Sequence, residues 1–508
     1  MAIDASRIDA IVRRVLERLA AEGSSAPPPP PTTTPVASTR PAPAASVQRP
    51  AASAPPLHRP APSVRPHGGP VYDTPEEAAR AAHAAFLDLH DTPLATREAM
   101  IEAMRRTVRE HAKELAELAV RETGLGRVDD KIRKNLLVGN KTPGTEILVP
   151  AARSGDHGLM IEERAPYGVI LSVTPSTNPS ETVINNGIGT LAGGNATIFA
   201  PHPGATKVSL LAVTLLERAC REAGGPANVF VTIARPSVEA TQALMRHEKV
   251  RLLVVTGGGA VVKEAMSVGK RAITAGPGNP PVVVDGTADL ERAARGIYAG
   301  ASFDNNIVCT DEKEVIAVER IAPELVRLLA AQGAFVLKGP AIDAVRKVVL
   351  AEDRGPRRRS VPNKDLVGKD AGVILEAARV AGPRSTRLLV AEVDDGHPFL
   401  WTELMMPVIG ICRAPDVDVA IDFAREVEGG CFHTASMYSR NVDKLSRMAR
   451  VIDCSIFVKN GPNYNGLGEG GEGYTSFTIA SPTGEGMTTA RSFTRFRRCS
   501  LVDGFRIV

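Results

Sequence analysis

Residues able to do chemistry gather first around Cys309. The thiol follows Phe303-Asp-Asn-Asn306, precedes Asp311-Glu-Lys-Glu314, and leads into Val315-Ile-Ala-Val318, which reads as a buried strand or the start of a helix. A thiol at the lip of such an element can attack a carbonyl carbon, because even a small thiolate fraction is strongly nucleophilic. A lone thiol can equally be a structural residue that packs as a small hydrophobe. The neighbours of Cys309 leave both readings open.

Two turns and a histidine add candidates. Val254-Val-Thr-Gly-Gly-Gly-Ala260 ends an apolar strand pattern and opens a helical one. Thr256, Gly257, Gly258 and Gly259 there would let backbone and a helix N-terminus approach phosphates. The segment lacks GxGxxG spacing, so an ordinary strand-to-helix turn explains it as well. Pro175-Ser-Thr-Asn178 also follows a strand. Asn178 can aim its amide N–H at a developing oxyanion, or it can cap the next helix. His433, in Gly429-Gly-Cys-Phe-His433, has a structural reading as a hydrogen-bonded turn residue beside a functional one.

These positions need a scaffold, and the hydrophobic pattern predicts one. Thr74 caps a helix whose first turn holds Pro75, Glu76 and Glu77, and helical patterns run on through Arg97–Glu122. Residues 158–175 read as two strands broken at Pro166–Gly168, the second (Val169–Val173) apolar enough for the interior of a parallel sheet. Helices at Glu181–Ala192, Thr206–Ala223, Ser237–His247 and Ala260–Val268 then alternate with strands at Ala196–Ala200, Val229–Ile233 and Val250–Thr256. That spacing predicts right-handed crossovers in an open parallel sheet, a nucleotide-binding α/β layout. A second α/β set starts at Pro281-Val-Val-Val284 and contains the Cys309 segment. It continues through helices at Glu291–Tyr298 and Pro323–Gln332 to a strand at Leu388–Val393.

The first 70 residues differ in kind. Residues 1–22 predict a short amphipathic helix, with Ile8, Ile11, Val12, Val15 and Leu19 on one face. Residues 23–70 are rich in Pro, Ala, Ser and Thr and read as a disordered, semi-extended linker. The helix can dock on the rest of its own chain, lie on a membrane or enter a partner's groove as an address tag. Its acidic residues and lack of large aromatics weaken the membrane reading, and the long linker weakens docking at home, so the tag is favoured.

At 508 residues the chain should form two or three domains, and its 43% apolar and 23% charged residues are ordinary for globular proteins. A net charge of +4 without basic runs gives no case for nucleic acid. Six cysteines without CxxC spacing point to free thiols in a reducing, cytosolic setting, and no metal site is expected. No apolar run approaches the roughly 18 residues of a membrane span.

Taken together, Asn178, the Thr256–Gly259 turn, Cys309 and the segment Thr402-Glu-Leu-Met-Met-Pro-Val408 resemble, in order and separation, the aldehyde dehydrogenase superfamily over roughly 71–508. The resemblance implies an oxyanion-binding Asn178, a pyrophosphate turn at Thr256–Gly259, a nucleophilic Cys309 and a Glu403 that holds the nicotinamide ribose. The Glu-Leu-Gly-Gly segment of hydrolytic members is replaced by Thr274-Ala-Gly-Pro-Gly-Asn-Pro-Pro281, without the carboxylate that activates water. That segment, the Phe303-Asp-Asn-Asn approach and Gly429–Ala435 are similar to the CoA-acylating branch, closest to the propionaldehyde and acetaldehyde dehydrogenases of bacterial microcompartments. The branch places His433 near the thiol. It implies contacts from Pro201 and His202, in Ala200-Pro-His-Pro-Gly204, with the adenine ends of NAD and coenzyme A. Loss of the usual acid there leaves NADP open.

The implied fold is α/β: a Rossmann-type cofactor domain (71–275, with an oligomerisation hairpin at about 144–165), an α/β catalytic domain (276–474) and a β oligomerisation arm (475–508). The implied activity is CoA-dependent oxidation of a short-chain aldehyde, propionaldehyde or acetaldehyde, by a homo-oligomer whose residues 1–22 address it to a microcompartment shell or its cargo. A hydrolytic dehydrogenase and a non-catalytic shell adaptor are the alternatives.

Overall fold

The computed structural model describes residues 69–506, so the predicted helix over 1–22 and the Pro-rich stretch up to residue 68 lie outside the described residues. Strand Val169–Thr174, buried at every position, sits inside a six-stranded parallel sheet. The order across it is Val71–Tyr72, Phe230–Ile233, Ala196–Pro201, Val169–Thr174, Val250–Thr256, Ala272–Ala275. Helices cover both faces: Leu94–Thr123, Pro179–Ala192 and Thr206–Glu222 pack on one, and Pro75–His90 packs on the other. Burial on both faces explains why these strands are continuous apolar runs.

From Val169–Thr174 the chain builds outward to one side, then returns to lay Val250–Thr256 on the other. The reversal opens a crevice at the carboxyl ends of these two strands, where doubly wound sheets bind their ligands. A second sheet of seven parallel strands has the order Phe335–Leu337, Leu389–Glu392, Val408–Ala414, Glu314–Val318, Pro281–Val284, Thr434–Tyr438, Ile456–Lys459. Three antiparallel strands, Ala151–Gly155, Gly158–Pro166 and Thr494–Val502, form a separate ribbon. The family-type α/β fold is thus present.

Several elements differ from the sequence-based expectation. Thr145–Ile147 is a single 3-10 turn, so the hairpin expected from about 144 begins at Ala151. In the C-terminal segment only Thr494–Val502 joins the ribbon, whereas Ile479–Ala480 pairs with Gly486–Met487. Strand Ala272–Ala275 was not anticipated, because four small or β-branched residues are too short to carry a periodic signal. Helix Val128–Lys141 was not anticipated either. Its buried stripe includes Lys131, Lys134 and Asn135, polar residues where a hydrophobic face is expected.

Asn195 ties the first sheet to the C-terminal segment. Its Oδ1 accepts the N–H groups of Tyr167 (2.8 Å) and Gly168 (3.1 Å), and its Nδ2 donates to Thr190 O and Phe493 O, both at 3.0 Å. Three of these four bonds are buried and the one from Tyr167 is partly so, so Asn195→Ala leaves polar groups unpaired away from water. A loss of about 2–4 kcal/mol is expected, read as a lower urea midpoint. An unchanged midpoint would show that this anchor carries no stability.

Candidate active site

Two sheets present opposite edges to one cavity. From the first sheet come the carboxyl ends: Val169–Thr174 runs into Pro175–Asn178, Ala196–Pro201 into His202, and Val250–Thr256 into Gly257 and Gly258. From the second come the segments that precede its strands. Gly276–Pro280 leads into Pro281–Val284, Cys309 into Glu314–Val318, Glu403 into Val408–Ala414 and His433 into Thr434–Tyr438. The cavity measures about 840 Å³ and is lined by Asn178, Pro201, His202, Thr256, Gly257, Gly258, Cys309 and Glu403, among others. Gly259 and His433 are not on its wall. Gly259 opens the helix Gly259–Ser267, whose Ala260, Val261 and Glu264 do line the cavity.

The turn at 256–258 is crowded at Gly257 and open at Gly258. A Cβ on Gly257 would come 2.8 Å from Val261 Cγ1, and one on Gly258 would meet nothing within 4 Å. Backbone N–H groups at a helix start and an open approach suit a dinucleotide pyrophosphate, so these residues fit the cofactor. Thr256 Oγ1 is hydrogen-bonded to Thr478 Oγ1 at 2.8 Å, which holds the strand end against the C-terminal segment. His202 Nδ1 accepts the Gly204 N–H at 3.0 Å, so one ring nitrogen is committed to the local turn.

The approach to Cys309 is held in an unusual backbone. Asp304, Asn305 and Asn306 all have positive φ (43°, 56° and 63°), at a typical cost of about 1–3 kcal/mol each. Buried hydrogen bonds impose it. Asn305 Nδ2 donates to Gly368 O (2.9 Å) and Asp370 Oδ1 (3.0 Å), and Asn306 Nδ2 donates to Ala301 O and Glu312 O, both at 2.9 Å. Below them Lys313 Nζ donates to Asn306 O (2.8 Å), Asn306 Oδ1 (2.7 Å) and Val308 O (3.2 Å). The amides noted in the sequence are therefore a cage for the thiol loop.

Electrostatics around the thiol oppose one another. Burial and then the Glu403 carboxylate push the Cys309 thiol up to about 12, while the Lys313 ammonium pulls it down. Burial raises Glu403 as well, against Lys313, the Gly278 N–H and Arg359. His433 lies behind Gly278: a Cβ there would come 2.8 Å from Cys309 O and 3.0 Å from His433 Cγ. Burial and then Lys313 push its imidazole down to about 4, so it is neutral at physiological pH. Its Nδ1 pairs with Thr434 Oγ1 at 2.8 Å, and its buried Nε2 has no partner among the described residues.

The 274–281 segment indeed offers no base. Asn279 is a strut: its Nδ2 donates to Glu314 Oε1 (3.2 Å), Leu400 O (3.0 Å) and Val427 O (2.9 Å). The carboxylates on the cavity wall are Glu264, ion-paired with Arg246, and Glu403. Reasoning from sequence missed the polar floor: Lys131, Lys134, Asp304 and Glu181 form a fully buried ion cluster beside Asn178. The one signal available was two lysines at i, i+3 on the stripe a helix should bury.

A thiol, an amide and a carboxylate line a dinucleotide-type crevice, an arrangement suited to cysteine-based oxidoreductase chemistry. Residues 72–480 match the model of the aldehyde dehydrogenase family, and the chain belongs to that family. It is 52% identical over 439 residues to the acetaldehyde dehydrogenase (acetylating) EutE of Salmonella typhimurium, covering 86% of this chain and 93% of that protein. A propionaldehyde dehydrogenase of Rhodopseudomonas palustris, solved with bound CoA and an acylated cysteine, superposes with a TM-score of 0.83 at 46% identity, covering 85% of this chain and 98% of that one. A propionaldehyde dehydrogenase from the fucose utilisation bacterial microcompartment of Clostridium phytofermentans gives 0.84 at 43% identity, over 87% of this chain and 100% of that one.

The field around Cys309 can be tested by alkylation. Because the thiol sits near 12, labelling by iodoacetamide at the Cys309 peptide should climb steadily between about pH 7 and pH 10 without a plateau. Glu403→Gln removes a negative neighbour and should move the curve to lower pH. A plateau near pH 8 in the wild type, or identical curves, would contradict this electrostatic picture.

Proposed function

We propose that this protein is a CoA-acylating aldehyde dehydrogenase that oxidises a short aliphatic aldehyde to the acyl-CoA, with NAD or NADP as acceptor. The observation that carries the reading is a cavity holding Cys309 and Asn178 with no water-activating carboxylate in the 274–281 segment. The acetylating relative and the solved relative with CoA and an acylated cysteine support it.

Cys309 thiolate attacks the aldehyde carbon; the C–S bond forms and the carbonyl pair moves to oxygen. Asn178 Nδ2–H and the backbone N–H of Cys309 receive that charge. When bound along Thr256–Gly258 with its ribose against Glu403, the nicotinamide dinucleotide supplies the hydride acceptor. Collapse of the oxyanion leaves a thioester on Cys309. Without a base aimed at it, water attacks slowly, whereas a thiol ionises readily enough to take the acyl group, and Cys309 leaves as thiolate. The incoming thiol loses its proton through the open cavity; His433, neutral and off the cavity wall, does not face it.

The test is NADH formation from acetaldehyde, propionaldehyde and butyraldehyde, each with and without CoA. Steady turnover is expected only with CoA, with one equivalent formed without it, and Cys309→Ala should lower kcat by at least about 10⁴-fold. Steady CoA-independent release of free acid would sink the acylating reading in favour of a hydrolytic one. Unchanged turnover in Cys309→Ala would remove the nucleophile.

Residues 1–22 complete the proposal as a tag for a microcompartment interior, supported by their amphipathic pattern and by the microcompartment relative. The antiparallel ribbon, with Phe496, Leu501 and Val502 exposed, is proposed to pair subunits. Deleting residues 1–22 should abolish co-purification with shells while leaving the sedimentation of a dimer or tetramer unchanged. Retained co-purification refutes the tag, and a monomeric full-length enzyme refutes the pairing role.

A further inference from the structure

We propose that Lys134 is a positioning residue that aims the Asn178 amide at the oxyanion; the inference rests on the oxyanion role given to Asn178 above. The Lys134 side chain is 1% exposed, and its Nζ lies 2.5 Å from Asn178 Oδ1, 2.5 Å from Asp304 Oδ2 and 3.0 Å from Glu181 Oε1. An ammonium has donors and no acceptor, so the Asn178 atom facing it has to be the oxygen. That decides the amide's orientation. The Nδ2 group turns the other way, where Thr177 Oγ1 at 3.2 Å takes one hydrogen at most. The second N–H is left for an oxygen in the cavity that Asn178 lines. A positive charge on Oδ1 also draws electron density from the amide nitrogen and strengthens its N–H as a donor.

The same ammonium sets Asn178 relative to the thiol. Asp304 belongs to the strained segment that leads into Cys309, and its Oδ2 accepts both Lys134 and Lys131, the latter at 3.0 Å. Lys131 in turn donates to Thr177 O at 2.8 Å, fixing the backbone just before Asn178. Helix Val128–Lys141 thereby links the oxyanion turn and the nucleophile loop through one cluster.

Lys134→Met and Asn178→Ala, singly and together, test this in the full-length enzyme with aldehyde, NAD and CoA. Lys134→Met is expected to lower kcat about 10²-fold, as a misaimed oxyanion donor does. Aldehyde KM should stay within about threefold, and adding the change to Asn178→Ala should cost less than about threefold more. An unchanged kcat in Lys134→Met, or an equal loss in both backgrounds, overturns the positioning role while leaving Asn178 its own. Full activity in Asn178→Ala overturns the oxyanion reading and this inference with it. Because Met leaves Glu181 without its ion-pair partner and Asp304 with Lys131 alone, Lys134→Arg, which keeps the charge, is the second variant. It should fold with kcat within about tenfold of wild type, its residual loss vanishing in Asn178→Ala. A loss that persists there overturns the inference.

Discussion

Two ammonium groups and two carboxylates meet where no water reaches them: Lys131, Lys134, Asp304 and Glu181 are all 0–1% exposed. Each buried ion costs several kcal/mol to desolvate, and only mutual neutralisation with good geometry offsets that. The cluster is therefore a constraint on shape more than a source of stability. It can form only when helix Val128–Lys141, the start of helix Pro179–Ala192 and the Phe303–Asn306 segment are in register. Those three elements carry or lead into Asn178 and Cys309, so the condition that satisfies the charges also assembles the site.

The surrounding architecture exploits a difference between sheet edges. The first sheet offers its carboxyl edge, where turns expose backbone N–H groups at helix starts and suit phosphates. The second offers its amino edge, where Cys309, Glu403 and His433 each sit a few residues before a buried strand. Side chains so close to a strand inherit its rigidity. The cavity between the edges joins a dinucleotide-type crevice to a fixed thiol.

Burial also sets the resting chemistry. The Cys309 thiol is held up and the His433 imidazole is held down, the two directions in which a dry environment moves an acid and a cation. Lys313 under the loop works for the thiolate, and Glu403 beside it works against. A largely protonated resting thiol is a modest nucleophile, which places weight on oxyanion stabilisation and on the geometry of the Asn178 amide.

Much of the fold was legible along the chain. Val169–Thr174, Val250–Thr256 and Pro281–Val284 announced themselves as continuous apolar runs, and the helices between them came within a few residues of their ends, because local periodicity encodes local structure. The order Asn178, Thr256–Gly259, Cys309, Glu403 and the missing carboxylate in 274–281 were also properties of the sequence by itself. Nothing local marked Asp304 as the partner of the lysines of Val128–Lys141, some 170 positions away. That pairing, the meeting of opposite edges of the two sheets at one cavity and the exclusion of His433 from its wall were decided by tertiary structure alone. Burial is a property of the packed whole, and a charge is read as surface until its counter-charges arrive from distant segments.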